Sequence, residues 1–217
     1  ADAGFSIMTY TGVSGQQTIA HGLGAVPKMI MVKNLDSSEN WRVYHHSIGA
    51  GAYLKLNDSA TKTDDTGPFS NTTPTSTLIT MGGDDGTMHG SEAHVAYIFA
   101  EKQGYSKIGK YVGNGNADGT FVYTGFRPAY LLYKNVDTAD EFFIHDNKRQ
   151  GYNDENEYLF ASIDQSEGTQ NRIRFLANGF KALNSDKGVN KDGDTYVYLA
   201  IAEMPFVNSK GVPGNAR

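Results

Sequence analysis

The 217-residue chain contains no cysteine, which excludes a disulfide framework, a thiolate zinc site and a cysteine nucleophile together. Charge is sparse as well. Charged residues make up 20% of the chain, and 19 basic against 24 acidic side chains leave a formal net charge of −5. Such a chain lacks the basic face that a phosphate backbone requires, so nucleic acid is not an expected partner. No apolar run approaches the roughly 20 residues of a membrane-spanning helix, and Ala1-Asp2-Ala3-Gly4 shows neither the basic start nor the apolar stretch of a secretory signal. Membrane insertion is therefore not expected, and a chain opening on Ala1 is expected to be processed or cut from something longer. What is plentiful is glycine, at 25 residues, with 13 tyrosines and 11 phenylalanines. The length suits one large all-β domain or two small ones, and it can bury a core without covalent staples.

Laid against itself, the chain matches twice. Tyr10-Thr11-Gly12 recurs as Tyr111-Val112-Gly113, Met31-Val32-Lys33-Asn34-Leu35-Asp36 as Leu132-Tyr133-Lys134-Asn135-Val136-Asp137, and Trp41 falls on Phe142. The offset is 101 residues (134 less 33) and grows to 102 (196 less 94) where His94-Val95 recurs as Tyr196-Val197 and Glu101 as Glu203. One unit copied once accounts for nearly the whole chain.

Each unit reads as strands. Met29-Ile30-Met31-Val32, Trp41-Arg42-Val43-Tyr44 and Val95-Ala96-Tyr97-Ile98-Phe99 are short β-branched or aromatic runs bounded by Gly, Asn, Asp and Pro. The nearly unbroken apolar run Thr195 to Ala202 predicts a central strand covered on both faces. Asn114-Gly115, Asp118-Gly119, Asn178-Gly179 and Asp192-Gly193 supply the positive φ of tight turns. No capped helix of useful length competes. The fold expected is all-β: two tandem repeats forming β-sandwich units of jelly-roll or lectin-like type, or one pseudo-twofold sandwich. Their bounds are 1–109 and 110–207, followed by an exposed tail at 208–217. The loop from Thr61 to Thr77 is poor in large apolar residues and is expected to be exposed.

Motifs for chemistry are few. Asp64-Asp65 and Asp84-Asp85 pair carboxylates as a glycosidase must, but acids are frequent in the loops, neither pair finds a counterpart in the second copy, and solvated turn residues are the better reading. Asn190-Lys191-Asp192-Gly193-Asp194 resembles part of a calcium loop without its closing glutamate, and its place before a strand explains it as a turn. His45-His46 are adjacent, so alternation along a strand points them to opposite faces and away from a shared metal. There is no Gly-x-Ser-x-Gly elbow, Walker loop or His-Glu-x-x-His. No catalytic residue, metal or cofactor is expected. Residues common to both copies, such as Lys33 and Lys134, Asn34 and Asn135, Asp36 and Asp137, and Glu101 and Glu203, are read as structural. A particular role belongs in the unshared segments, whose candidate ligand-binding residues are Trp41, His45, His46, Arg149, Tyr152 and Asn153. Of these Trp41 has a competing reading as core, since it aligns with Phe142.

The runs from His21 to Asn34, Ala100 to Gly109, Tyr111 to Gly119 and Tyr123 to Ala129 resemble a domain of tailed-bacteriophage virion proteins, frequent in marine phages and cyanophages and described as tail-fibre or lectin-like. The resemblance covers the chain from about Gly4 to its end, where Pro205 to Arg217 is similar to the way family members close. It implies a non-enzymatic virion surface protein, the outward part of a tail or head fibre, assembled in the host cytoplasm. Its implied partners are a host cell-surface polysaccharide or protein receptor, other virion proteins, and two further copies in a homotrimer. The alternative is a capsid or tail decoration protein that makes only protein contacts. Asp146-Asn147-Lys148-Arg149 matches the family's acidic-to-arginine pattern after an aromatic strand, whereas the first copy has His45-His46-Ser47-Ile48 there.

Overall fold

A computed structural model describes residues 3–149 and 155–208. The chain divides into two compact units, Ala1–Glu101 and Lys102–Arg217. The first contains β1 (Phe5–Thr11), β2 (Gln17–Ala20), β3 (Met29–Asn34), β4 (Arg42–His45), β5 (Ala52–Lys55), β6 (Thr63–Asp64), β7 (Leu78–Met81), a one-turn helix α1 (Asp85–Met88) and β8 (Ala93–Phe99). The second contains β9 (Ser106–Val112), β10 (Phe121–Tyr123), β11 (Pro128–Asn135), β12 (Phe143–Asp146), β13 (Glu155–Phe160), β14 (Gly168–Leu176), β15 (Gly179–Ala182) and β16 (Thr195–Ala202). All the strand pairs are antiparallel, and the fold is all-β as expected.

The division between the units falls earlier than the expected residue 109. The reason is β9, which runs along β16 from Ser106 opposite Ile201 to Val112 opposite Thr195 and so commits its whole length to the second unit. In the first unit β1 holds the same place beside β8, from Phe5 opposite Phe99 to Thr11 opposite Ala93. The tail expected at 208–217 lies, from residue 209 onward, outside the described residues.

In the second unit the eight strands form one sheet in the order β10-β15-β14-β13-β12-β11-β16-β9. Every one of them contributes to a single core that includes Tyr133, Phe143, Phe175, Phe180 and Tyr196. A sheet can serve one core with all its strands only by curling. The rings of Tyr111 on β9 and Tyr198 on β16 accordingly reach Phe180 on β15, at centroid distances of 5.8 and 5.3 Å. The two edges come together where the Thr120 hydroxyl donates to the Val112 carbonyl at 2.8 Å. Strand β16 sends Tyr196, Tyr198 and Ala200 into the core, while Val197 and Leu199 on its other face are also buried. That double burial is why its sequence is apolar almost without interruption.

The first unit has the same strand order with one break. Its sheets run β1-β8-β3-β4-β5-β6 and β2-β7, so the ladder that joins β14 to β15 in the second unit has no equivalent between β6 and β7. The Thr61 to Thr77 segment takes up that place; it is largely exposed, as its composition predicts, but one stretch is inserted. Pro68 and Phe69 are buried, Phe69 belongs to the core with Ile30, Tyr44, Tyr53 and Ile98, and its ring stands edge-on to Tyr44 at 5.6 Å. A loop whose other residues are Thr, Ser, Asp, Pro, Gly, Asn and Lys thus inserts one aromatic plug.

Two predictions follow from these cores. Phe69→Ala should cost about 3 to 5 kcal/mol, read as a fall in the urea midpoint, and a loss below about 1 kcal/mol would show that the plug is not needed. Burial holds the phenols of Tyr111, Tyr133 and Tyr196 well above their usual range. A raised folded pKa means that stability is full below the unfolded value of about 10 and is lost as pH climbs beyond it. Absorbance titration should therefore find a late class of tyrosines that ionises only as the protein unfolds. A smooth titration of all tyrosines with the fold intact would refute this.

Candidate functional site

The residues common to both units are consumed in holding the strand ends together. Asn34 and Asn135 are both fully buried. The Asn34 Oδ1 accepts from the backbone of Asp36 and Ser37 at 3.0 and 3.2 Å, and Asn135 Oδ1 accepts from Asp137 and Thr138 at 2.9 and 3.0 Å. Their amide nitrogens donate across to the acid just before β8 or β16, Glu92 at 2.5 Å and Asp194 at 2.8 Å. Asp36 and Asp137 in turn accept from the backbone of Ala93 and Thr195 at 2.6 and 2.7 Å. Lys33 donates to the carbonyls of Ser37 and Glu39, and Lys134 donates to the carbonyl of Asp140 over the Phe142 ring. Glu101 pairs with Lys28 at 2.6 Å and Glu203 with Arg127 at 3.2 Å. The calcium-like segment is used in the same way. Asn190 binds the Asn114 backbone and side chain, and Asp194 accepts hydrogen bonds from Asn135 and Thr138 and pairs with Lys191.

A charged pair sits under each unit's α1 or its equivalent turn. Arg42 on β4 places Nε 2.9 Å from Asp84 Oδ1 and donates from Nη2 to Oδ2 at 3.1 Å, with its guanidinium 5.2 Å from the Tyr53 ring centre. Arg172 on β14 places Nη1 2.5 Å from Asp186 Oδ1 and lies 5.0 Å from the Tyr158 ring centre and 4.7 Å from that of Phe143. Each aspartate also accepts from the backbone two residues on, Gly86 at 2.9 Å or Gly188 at 2.8 Å. Each of those glycines lies close against the arginine, where a Cβ would stand 3.0 Å from Arg42 Cζ or 2.7 Å from Arg172 Nη1. Asp84 therefore has a counterpart, contrary to the expectation drawn from the pair Asp84-Asp85. The correspondence is hidden because the arginine arrives from a different strand in each copy. Burial pushes the Asp186 carboxyl up, but the Gly188 N–H and Arg172 outweigh it and hold the group below the usual carboxylate range.

The other acid pair is also occupied, Asp64 by Lys62 at 2.5 Å and Asp65 by the backbone of Gly67 at 2.9 Å. Among the described residues no group of three His, Asp or Glu side chains is placed to hold a metal ion.

The candidate binding residues fall in separate places. Trp41 is half-buried, packs against Tyr97 with ring centres 5.9 Å apart, and lies on the face of β4 opposite the core residue Tyr44. Phe142, at the matching place in the second unit, is fully buried beneath the Lys134 ammonium. His45 is buried and His46 exposed, yet their rings stack at 5.1 Å instead of pointing apart. The strand ends at His45, and the backbone N–H groups of Ile48 and Gly49 both turn back to its carbonyl. His45 Nδ1 accepts from Ser47 N at 3.2 Å, the part that Asp146 Oδ1 plays for Lys148 and Arg149 at 2.9 and 3.1 Å. Arg149 then closes onto Asp146 at 2.8 Å and Glu167 at 2.5 Å. A neutral imidazole in place of the carboxylate leaves no anion for a cation to meet, and the first unit has Ile48 where the second has Arg149. Tyr152 and Asn153 lie outside the described residues.

Sequence reasoning missed two exposed aromatics. On β10, Val122 faces the core, which turns Phe121 and Tyr123 outward, 45% and 64% exposed. Phe121 and Tyr123 pair with Lys181 and Gly179. At the same places in the first unit Thr18 pairs with Thr80 and Ala20 with Leu78. The signal available was the alternation Phe121-Val122-Tyr123 directly after the glycine-rich turn, in a stretch where the copies do not match.

The family model described as a domain of unknown function (DUF7483) matches residues 1–205. No curated protein and no solved structure matches the chain.

A depressed folded pKa for Asp186 means that its contribution is full above the unfolded value of about 3.9 and disappears as pH falls through the folded value. Urea stability should be flat from neutral pH to about pH 5 and fall below about pH 4. Asp186→Asn should be less stable at pH 7 and lose less on acidification. Parallel curves for the two proteins would show that the carboxylate is not the titrating group.

Proposed function

We propose, for a chain that belongs to the DUF7483 family, that it is a non-enzymatic binding module on the surface of a virion which recognises glycan on a host cell. The observation that carries this reading is a division of labour. The buried or paired acids and the shared polar residues are spent on turns, strand ends and arginine pairs, whereas exposed aromatic side chains occur where the copies differ. Rigid strands presenting aromatic faces suit stacking on sugar rings, with polar side chains alongside for orientation. The resemblance to virion fibre domains supplies the setting, a projecting protein assembled in the host cytoplasm. A trimer is the arrangement that setting favours.

Purified protein should bind a subset of glycans on an array of bacterial surface polysaccharides and should compete with virions for adsorption to host cells. Absence of both effects would overturn the reading. Density for the chain between capsid subunits, with Phe121 and Tyr123 covered by protein, would make it a cementing protein instead.

A further inference from the structure

We propose that the outward face of β10, with β15 and β14 beside it, is a platform for an acidic polysaccharide. This rests on the reading of the protein as a glycan-binding module and adds to it a place and a charge.

The face is built in two cross-strand rows. Phe121 lies opposite Lys181, and Lys181 opposite Arg174. Tyr123 lies opposite Gly179, and Gly179 opposite Leu176. Phe175 and Phe180 belong to the core, so alternation sends Lys181 and Arg174 to the same outward side as the two rings. The first row thus reads aromatic, cation, cation. In the second row Gly179 is held as glycine, since a Cβ there would stand 2.1 Å from the Val122 carbonyl oxygen. The Phe121 ring packs over that bare backbone, its Cε2 3.1 Å from where the Cβ would be, so the ring lies along the strand row that Tyr123 shares.

Rings of this kind offer flat apolar faces to the C–H side of sugars, and cations in the adjoining row meet carboxylates. Charge decides which sugars. The chain as a whole carries a net charge of −5, which repels a polyanion, so one that binds must do so at a local exception. Lys181 is engaged by Asp118, whose side chain is 89% exposed. An exposed pair of that kind contributes little and is exchanged at little cost. The framework does not explain the set, because Thr18, Ala20, Thr80 and Leu78 stand in place of Phe121, Tyr123, Lys181 and Gly179 in the first unit.

The test uses the intact chain and immobilised alginate, a polymer of uronic acids, with neutral dextran as control. Alginate should bind, dextran should not, and salt should weaken the interaction. Phe121→Ala with Tyr123→Ala should weaken it roughly tenfold or more, and Lys181→Glu should weaken it in the same sense, with unchanged circular dichroism and melting showing that the fold is intact. Alginate binding that the variants leave untouched would overturn the placement. Binding of host cells or neutral glycans without alginate would overturn the charge assignment while the glycan reading stands, and no binding to any polysaccharide or cell would remove both. Self-association abolished by the double variant would assign the face to a second copy of the chain and overturn the proposal.

Discussion

One buried asparagine keeps each unit shut. Asn34 and Asn135 sit at the ends of β3 and β11, and each spends its carbonyl on the following turn and its amide on the acid that precedes the last strand. A buried amide left without partners costs about 1 to 3 kcal/mol for each group stranded. The turn after the third strand and the start of the eighth therefore cannot shift independently, although the third and eighth strands are far apart in the chain. That clamp fixes the register of the central pair, and from it follow the neighbours on either side.

Outward from the clamp the two units complete the same curl by different means. The second continues its ladder through β14 and β15 to the far edge. The first stops at a two-residue β6 and fills the core with Phe69 from a loop. Burial of an aromatic ring thus does what a row of backbone hydrogen bonds does in the other copy. It also frees one segment from pairing, at the price of a strand edge that the loop must shield.

Much of this was legible beforehand, for identifiable reasons. Strands announce themselves through alternation and bounding turns, and the duplicated Lys-Asn-x-Asp stood out because its lysine and asparagine hold their own turn while its asparagine and aspartate also tie that turn to the start of the last strand. Phe69 did not, since a single ring in a polar stretch has no period to betray it. The second unit starts before the expected residue 110 because β9 is committed from Ser106 to its pairing with β16, a long-range contact that no local pattern reveals. Trp41 aligns with Phe142, but Phe142 is fully buried whereas Trp41 is half-buried against Tyr97. The aromatic pair of β10 was hidden by the shortness of a three-residue strand, where only one residue points inward.

The arginine that meets Asp84 or Asp186 is carried by the fourth strand in one unit and by the sixth in the other. Recombination between the two halves of the gene would not respect that difference. A crossover between the fifth and sixth strands in one direction would crowd both guanidinium groups onto a single aspartate. In the other direction it would leave an aspartate facing aromatic rings with no cation at all. The two halves are therefore not interchangeable parts: each aspartate depends on a strand that only its own unit supplies.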